Sequence, residues 1–272
     1  MRRVILLVTI LLYRFPVNAG LKSFIVAVPV ENIDCTNLIG SSTDDGKITE
    51  AVNAVNYATQ QGYRSGLKFF PEQLLHMTLV YVGSVDDTYS NYDDLLKDLK
   101  RFFRTIAEGW MQKRQDKTVI KSSLTQLLWP PLGKKGSWLS YGVSMSKAGA
   151  KDLLAFTNSM RTGVSNLIYF YGNALKNAQG VSISRETISP LDALDLHVSL
   201  GRFNKGYSVD PQGVFGVPTA FKEMIDTKFQ ALPVPLQPNF DVNELVLYMK
   251  NEQHQVQILE KISLKSEDTL TQ

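Results

Sequence analysis

Two of the chain's three histidines stand in the same short setting, and that match constrains the fold more than any bulk property. His76 is followed by Met77, Thr78 and Leu79, and His197 by Val198, Ser199 and Leu200. Both stretches read His-x-(Thr/Ser)-Leu inside runs of branched and apolar residues, 74–83 and 195–203, that the pattern predicts as β-strands. Side chains alternate along a strand, so His76 and Thr78 leave on one face, as do His197 and Ser199. Met77, Leu79, Val198 and Leu200 then point the other way, towards a core. A fold that brings two such strands together gathers two imidazoles and two hydroxyls into one small volume.

The order of elements gives a reason to expect that. Residues 23–30 read as a strand. A polar turn at 41–46 leads into a helix over 47–61, with Gly62 as its stop. The first histidine strand comes next, followed by a helix over 92–113 that Asp86 and Asp87 are placed to cap. The second half repeats the order with additions. Strands at 118–128 and 138–145 flank a Pro- and Gly-rich turn at 130–136, and a helix runs over 146–161. An irregular excursion at 163–192 precedes the second histidine strand. A short helix at 219–229, a proline-spaced extended piece at 233–238 and two closing strands, 241–250 and 255–264, complete the chain. No low-complexity segment divides it. The expected architecture is α+β: a duplicated αβ unit with the two histidine strands side by side.

The first nineteen residues read differently. Arg2 and Arg3 precede an apolar run from Val4 to Tyr13, Pro16 breaks it, and Val17, Asn18 and Ala19 end in a small-residue cleavage pattern. Residues 1–19 are therefore expected to be a cleaved signal peptide. The run falls short of the roughly 20 residues of a permanent anchor. The expectation is a secreted or periplasmic protein without a stable membrane anchor, formed of one domain over 20–265, with lobes of roughly 20–116 and 117–265 and a polar tail at 266–272. The single cysteine, Cys35, excludes an internal disulfide and reads as a small apolar residue. A net charge of +3 tolerates an anionic ligand but does not describe a protein that coats nucleic acid by charge alone.

Two imidazoles and two hydroxyls suit a phosphate ester. One neutral imidazole can take a proton from water while the other, protonated, gives one to the leaving oxygen. The hydroxyls can donate to non-bridging phosphate oxygens. Metal ligation is the competing reading, and the sequence disfavours it. The histidines are far apart, with no His-x-x-x-His spacing and no companion cysteines, so neither metal nor cofactor is expected. A lone strand histidine is more often structural than catalytic; the matched context is what lifts this pair. Asp195 shares the face of His197 and reads equally as a ring-orienting group or a solvated edge residue. Arg202 reads as structural or as a phosphate contact from the strand end. Trp129, Trp138 and Tyr141 read as core, rim or base-stacking residues, and His254, in a polar turn, as incidental.

Paired His-x-(Thr/Ser)-hydrophobic motifs, one in each half of a duplicated αβ unit, resemble the two-histidine (2H) phosphoesterase superfamily, which includes LigT-like 2′-5′ RNA ligases and cyclic phosphodiesterases. The resemblance runs over roughly residues 21–264. It takes in the opening strand, both motifs, Gly201 and Arg202 after the second, and the closing pair around residues 240–248 and 256–259. It implies a bilobed fold with two antiparallel sheets around a central cleft and metal-independent hydrolysis of a nucleotide phosphodiester. The bond would be a 2′,3′-cyclic phosphate, a 2′-5′ linkage or a cyclic dinucleotide. His76 and His197 would be acid and base, and Thr78 and Ser199 would bind the phosphate. The expected partner is a nucleotide or short oligonucleotide, with no protein partner. Two rival readings stay open: an idle nucleotide-binding or sequestering module, and a secreted 3′-5′ ribonuclease.

Overall fold

The computed structural model describes residues 20–30, 67–69, 75–114, 119–128, 138–177, 180–184, 188–203, 239–251 and 255–264. The segment 1–19, the helices expected over 47–61 and 219–229, the extended piece at 233–238, Cys35, Trp129 and His254 lie outside the described residues.

Strand β1 (Leu21–Pro29) is apolar on both faces, as a central strand must be. Phe24, Val26 and Val28 are buried in the main core and Ala27 in a second, smaller cluster. On one edge β1 pairs with β3 (His76–Asp86) and on the other with β8 (Glu244–Lys250), which pairs in turn with β9 (Val256–Ser263). In the other half, β6 (His197–Phe203) pairs with β5 (Trp138–Met145), β5 with β4 (Ile120–Leu128), and β4 with β7 (Asn239–Val242). A short β2 (Leu67–Phe69) lies along β6. Every pairing among these strands is antiparallel.

The two halves meet where β3 pairs with β6, through one residue pair, Met77 opposite Val198. Each strand then yields the rest of that edge to another segment. β2 takes β6 from Gly201 to Phe203, and Lys176 bridges to β3 at Ser84. The described strands thus form one antiparallel sheet whose two halves join at the histidine strands, and the expected α+β architecture stands. The closing strand expected over 241–250 is broken at Asn243. Val242 still pairs with Ile120 in one half, while Glu244 already pairs with Ser263 in the other.

Among the described residues, two α-helices cover one face. In α1 (Tyr92–Lys113) the residues Leu95, Leu99, Phe103, Ala107 and Trp110 recur every three or four positions and are buried; Asp93 and Asp94 in the first turn and Lys113 in the last suit the helix dipole. In α2 (Lys147–Tyr171) the Ser146 hydroxyl accepts from Gly149 N at the start. Gly163 lets the helices close, since a Cβ there would lie 2.9 Å from Ile106 Cδ1. Trp110 Nε1 donates to the Asp152 carbonyl at 2.9 Å, and Arg114 Nε pairs with the Asp152 carboxylate at 3.1 Å.

Two expectations need correction. Asp86 and Asp87 do not cap α1, whose N-cap is Asn91 without a side-chain bond. Asp86 instead accepts from Thr88 N and Oγ1 in the turn leaving β3, and Asp87 accepts from Gly20 N and pairs with Lys22. The helix expected to end at 161 runs on to Tyr171 and stops at Gly172, where φ is 57°. The Gly and Asn residues that suggested irregular chain are outweighed by Val164, Leu167 and Ile168, which carry the buried stripe onward.

Candidate active site

The junction pair orders the site. Met77 and Val198 are fully buried against the helix-covered core. Their neighbours in both strands are turned to the opposite face, and there His76, Thr78, His197 and Ser199 are all half-buried. The register of β3 against β6 is the pair Met77 and Val198, so His76 and Thr78 flank it on β3 and His197 and Ser199 flank it on β6. Two imidazoles and two hydroxyls therefore leave the same face within one residue of a single strand junction.

Outer strands extend the pattern. Pro29 of β1 lies beside His76, and Ser140 of β5 beside Ser199. Ala27 of β1 lies beside Thr78, and Gly142 of β5 beside His197. Ala27 and Gly142 carry at most a Cβ, so the walls beside Thr78 and His197 are low. Ser140 Oγ is 3.4 Å from Ser199 Oγ, at the long end of a hydrogen bond between hydroxyls. The ring of Tyr248, from β8, lies 5.6 Å from the His76 ring between centroids. β1 runs between their strands, so this half of the sheet curls towards the site face.

The four residues singled out in the two motifs are brought together. The others divide. Asp195 is exposed and precedes β6. Tyr141 is fully buried and pairs with Val198 on the core side, so it is a core residue and not a stacking surface. Arg202 pairs through its backbone with Trp138 and Lys68. Ser140 and Tyr248 escaped the sequence reading, since neither carries a local signal and both reach the site only through the sheet order. Among the described residues no group of three or more His, Cys, Asp or Glu could hold a metal ion, and no described helix is long and apolar enough to cross a membrane.

No family model matches the chain, and no curated protein matches it. Solved structures are similar along most of its length. TT0787 of Thermus thermophilus is 17% identical over 90% of this chain and 99% of its own, with a TM-score of 0.41. Usb1 of Kluyveromyces marxianus is 15% identical over 90% of this chain and 99% of its own, with a TM-score of 0.42. LigT of E. coli, in complex with ATP, is 12% identical over 90% of this chain and 99% of its own, with a TM-score of 0.38.

Proposed function

We propose that this chain is a 2H phosphoesterase that hydrolyses a 2′-linked or cyclic nucleotide phosphodiester by metal-independent acid–base catalysis. The observation that carries the reading is the Met77–Val198 pair, which sets His76, Thr78, His197 and Ser199 on one face of the sheet junction. One imidazole takes a proton from water as the water oxygen bonds to phosphorus. The other gives its proton to the leaving ribose oxygen as the P–O bond breaks, so a cyclic phosphate opens to a monoester. Thr78 and Ser199 donate to the non-bridging oxygens, where charge gathers in the transition state. One histidine must be neutral and the other charged, so the rate has a bell-shaped pH dependence. The substrate class rests on the resemblance of the paired motifs. We place the enzyme outside the cytosol after removal of residues 1–19, with residues 20–265 as one bilobed domain; N-terminal sequencing of the exported protein would decide this.

The test is turnover in EDTA of 2′,3′-cyclic nucleotides, 2′-5′ oligoadenylate, a mixed-linkage cyclic dinucleotide and 3′-5′ RNA. One 2′-linked or cyclic member should be cleaved, and His76→Ala and His197→Ala should each lose roughly 10²–10⁴-fold in rate while staying folded. Full activity in the double variant would overturn the catalytic assignment. Cleavage of internal 3′-5′ bonds alone would make the protein a ribonuclease. Binding without turnover would make it a sequestering module.

A further inference from the structure

Tyr248 has no place in the acid–base scheme, yet it is built against one of its members. Its ring centroid lies 5.6 Å from that of His76, with the ring planes inclined by 44°. The side chain is 9% exposed and packs in a small cluster with Ala27 and Val246, bordered by Ile25 and Val256. The protein itself covers this ring, so Tyr248 offers little surface on which a nucleotide base could stack. What it does offer is a stiff wall, since tyrosine has only two side-chain torsions and this one is enclosed. The contact reaches across β1, where Ala27 has no side chain beyond Cβ to come between the rings. On β1 Pro29, whose φ is fixed, pairs with His76 and backs the strand that carries the imidazole.

We infer that Tyr248 is the positioning residue for His76, holding the imidazole so that its nitrogen edge meets the phosphodiester. The assignment rests on His76 acting in turnover as proposed above. An imidazole free to rotate about its own torsions spends most of its time misaligned, and a displacement of about 1 Å can cost about 10²-fold in rate. A purely structural tyrosine would show its loss in stability, and a substrate-binding one in KM. A positioning residue shows it in kcat.

Three variants and two readouts test this. Tyr248→Leu should lower kcat by about 10- to 100-fold with KM within about threefold at temperatures where it is folded. Tyr248→Phe, which keeps the ring, should hold kcat within about threefold, by the same reasoning. If Tyr248→Leu does not fold, Tyr248→Met takes its place. In parallel, the order parameter of His76 Cε1–H from NMR relaxation, the signal assigned by its loss in His76→Ala, should fall in the Leu variant and hold in the Phe variant. Wild-type kcat in Tyr248→Leu, a loss confined to KM, an equal loss in Tyr248→Phe, or an unchanged His76 order parameter would each overturn the inference. An inactive wild-type protein would overturn the proposed function instead, and the order parameter would still decide whether Tyr248 holds the ring.

Discussion

Val198 is fully buried at the single position where the two histidine strands pair, so Val198→Ala probes the junction with little disturbance elsewhere. The substitution removes two carbons, and at about 0.8 kcal/mol for each buried carbon the lost transfer energy is about 1.6 kcal/mol. Helices pack over this face and prevent full collapse, so a residual cavity of about 40 Å³ at about 24 cal/mol per Å³ adds about 1 kcal/mol. The expected loss of about 2–3 kcal/mol lowers Tm by about 5–10 °C for a domain of this size. Loosening this pair also loosens the spacing between His76 and His197, and kcat should fall by about tenfold even well below Tm. Leu99→Ala in α1 is the control. It is at least as destabilising, at about 2–5 kcal/mol, but lies outside the junction, so kcat in the folded protein should hold. Thermal melts and steady-state rates at 20 °C below each variant's Tm separate the two effects. A Tm within 2 °C of wild type for Val198→Ala would refute the packing argument. An unchanged kcat despite the expected destabilisation would refute the claim that this pair sets the site's geometry.

Gly83→Ala should destabilise by about 2–4 kcal/mol, because φ at Gly83 is 133° and a Cβ would lie 3.2 Å from the Lys176 carbonyl oxygen and 3.0 Å from Ile183 Cδ1. A urea midpoint equal to wild type would contradict this. Tyr171 donates its hydroxyl to Asp98 at 2.7 Å, and burial together with that carboxylate pushes its pKa up from 10.0 to about 12. The unfolded chain loses this proton first, so the stability it brings is complete below pH 10 and falls as pH rises towards 12. Urea midpoints at pH 9 and pH 11 should differ more for wild type than for Tyr171→Phe, and equal differences would exclude the effect.

Period and turn chemistry are local, and the elements that depend on them were legible. The strands around both histidines, the α1 stripe from Leu95 to Trp110 and the placement of Met77 and Val198 on the face opposite the histidines follow from alternation within a few residues. Local signals also misled where packing overrode them. The Gly- and Asn-dotted stretch after residue 161 is helical to Tyr171 because its apolar side chains have a core to enter, and Asp86 and Asp87 are drawn into the turn after β3 and away from the helix start.

The four motif side chains of the candidate site could be grouped from the sequence because each motif carries its histidine and hydroxyl on one strand face, and that relation survives any tertiary arrangement. Which strand lies next to which is a different matter. Strand pairing joins residues far apart in the chain, and many orders would have satisfied the same alternation. Only the tertiary structure decided that β3 and β6 meet at Met77 and Val198, which brings two separate motifs to one strand junction. It alone brought Ser140 beside Ser199 and the Tyr248 ring against His76, since those neighbours are selected by register and sheet curl, and neither is written in any short stretch of sequence.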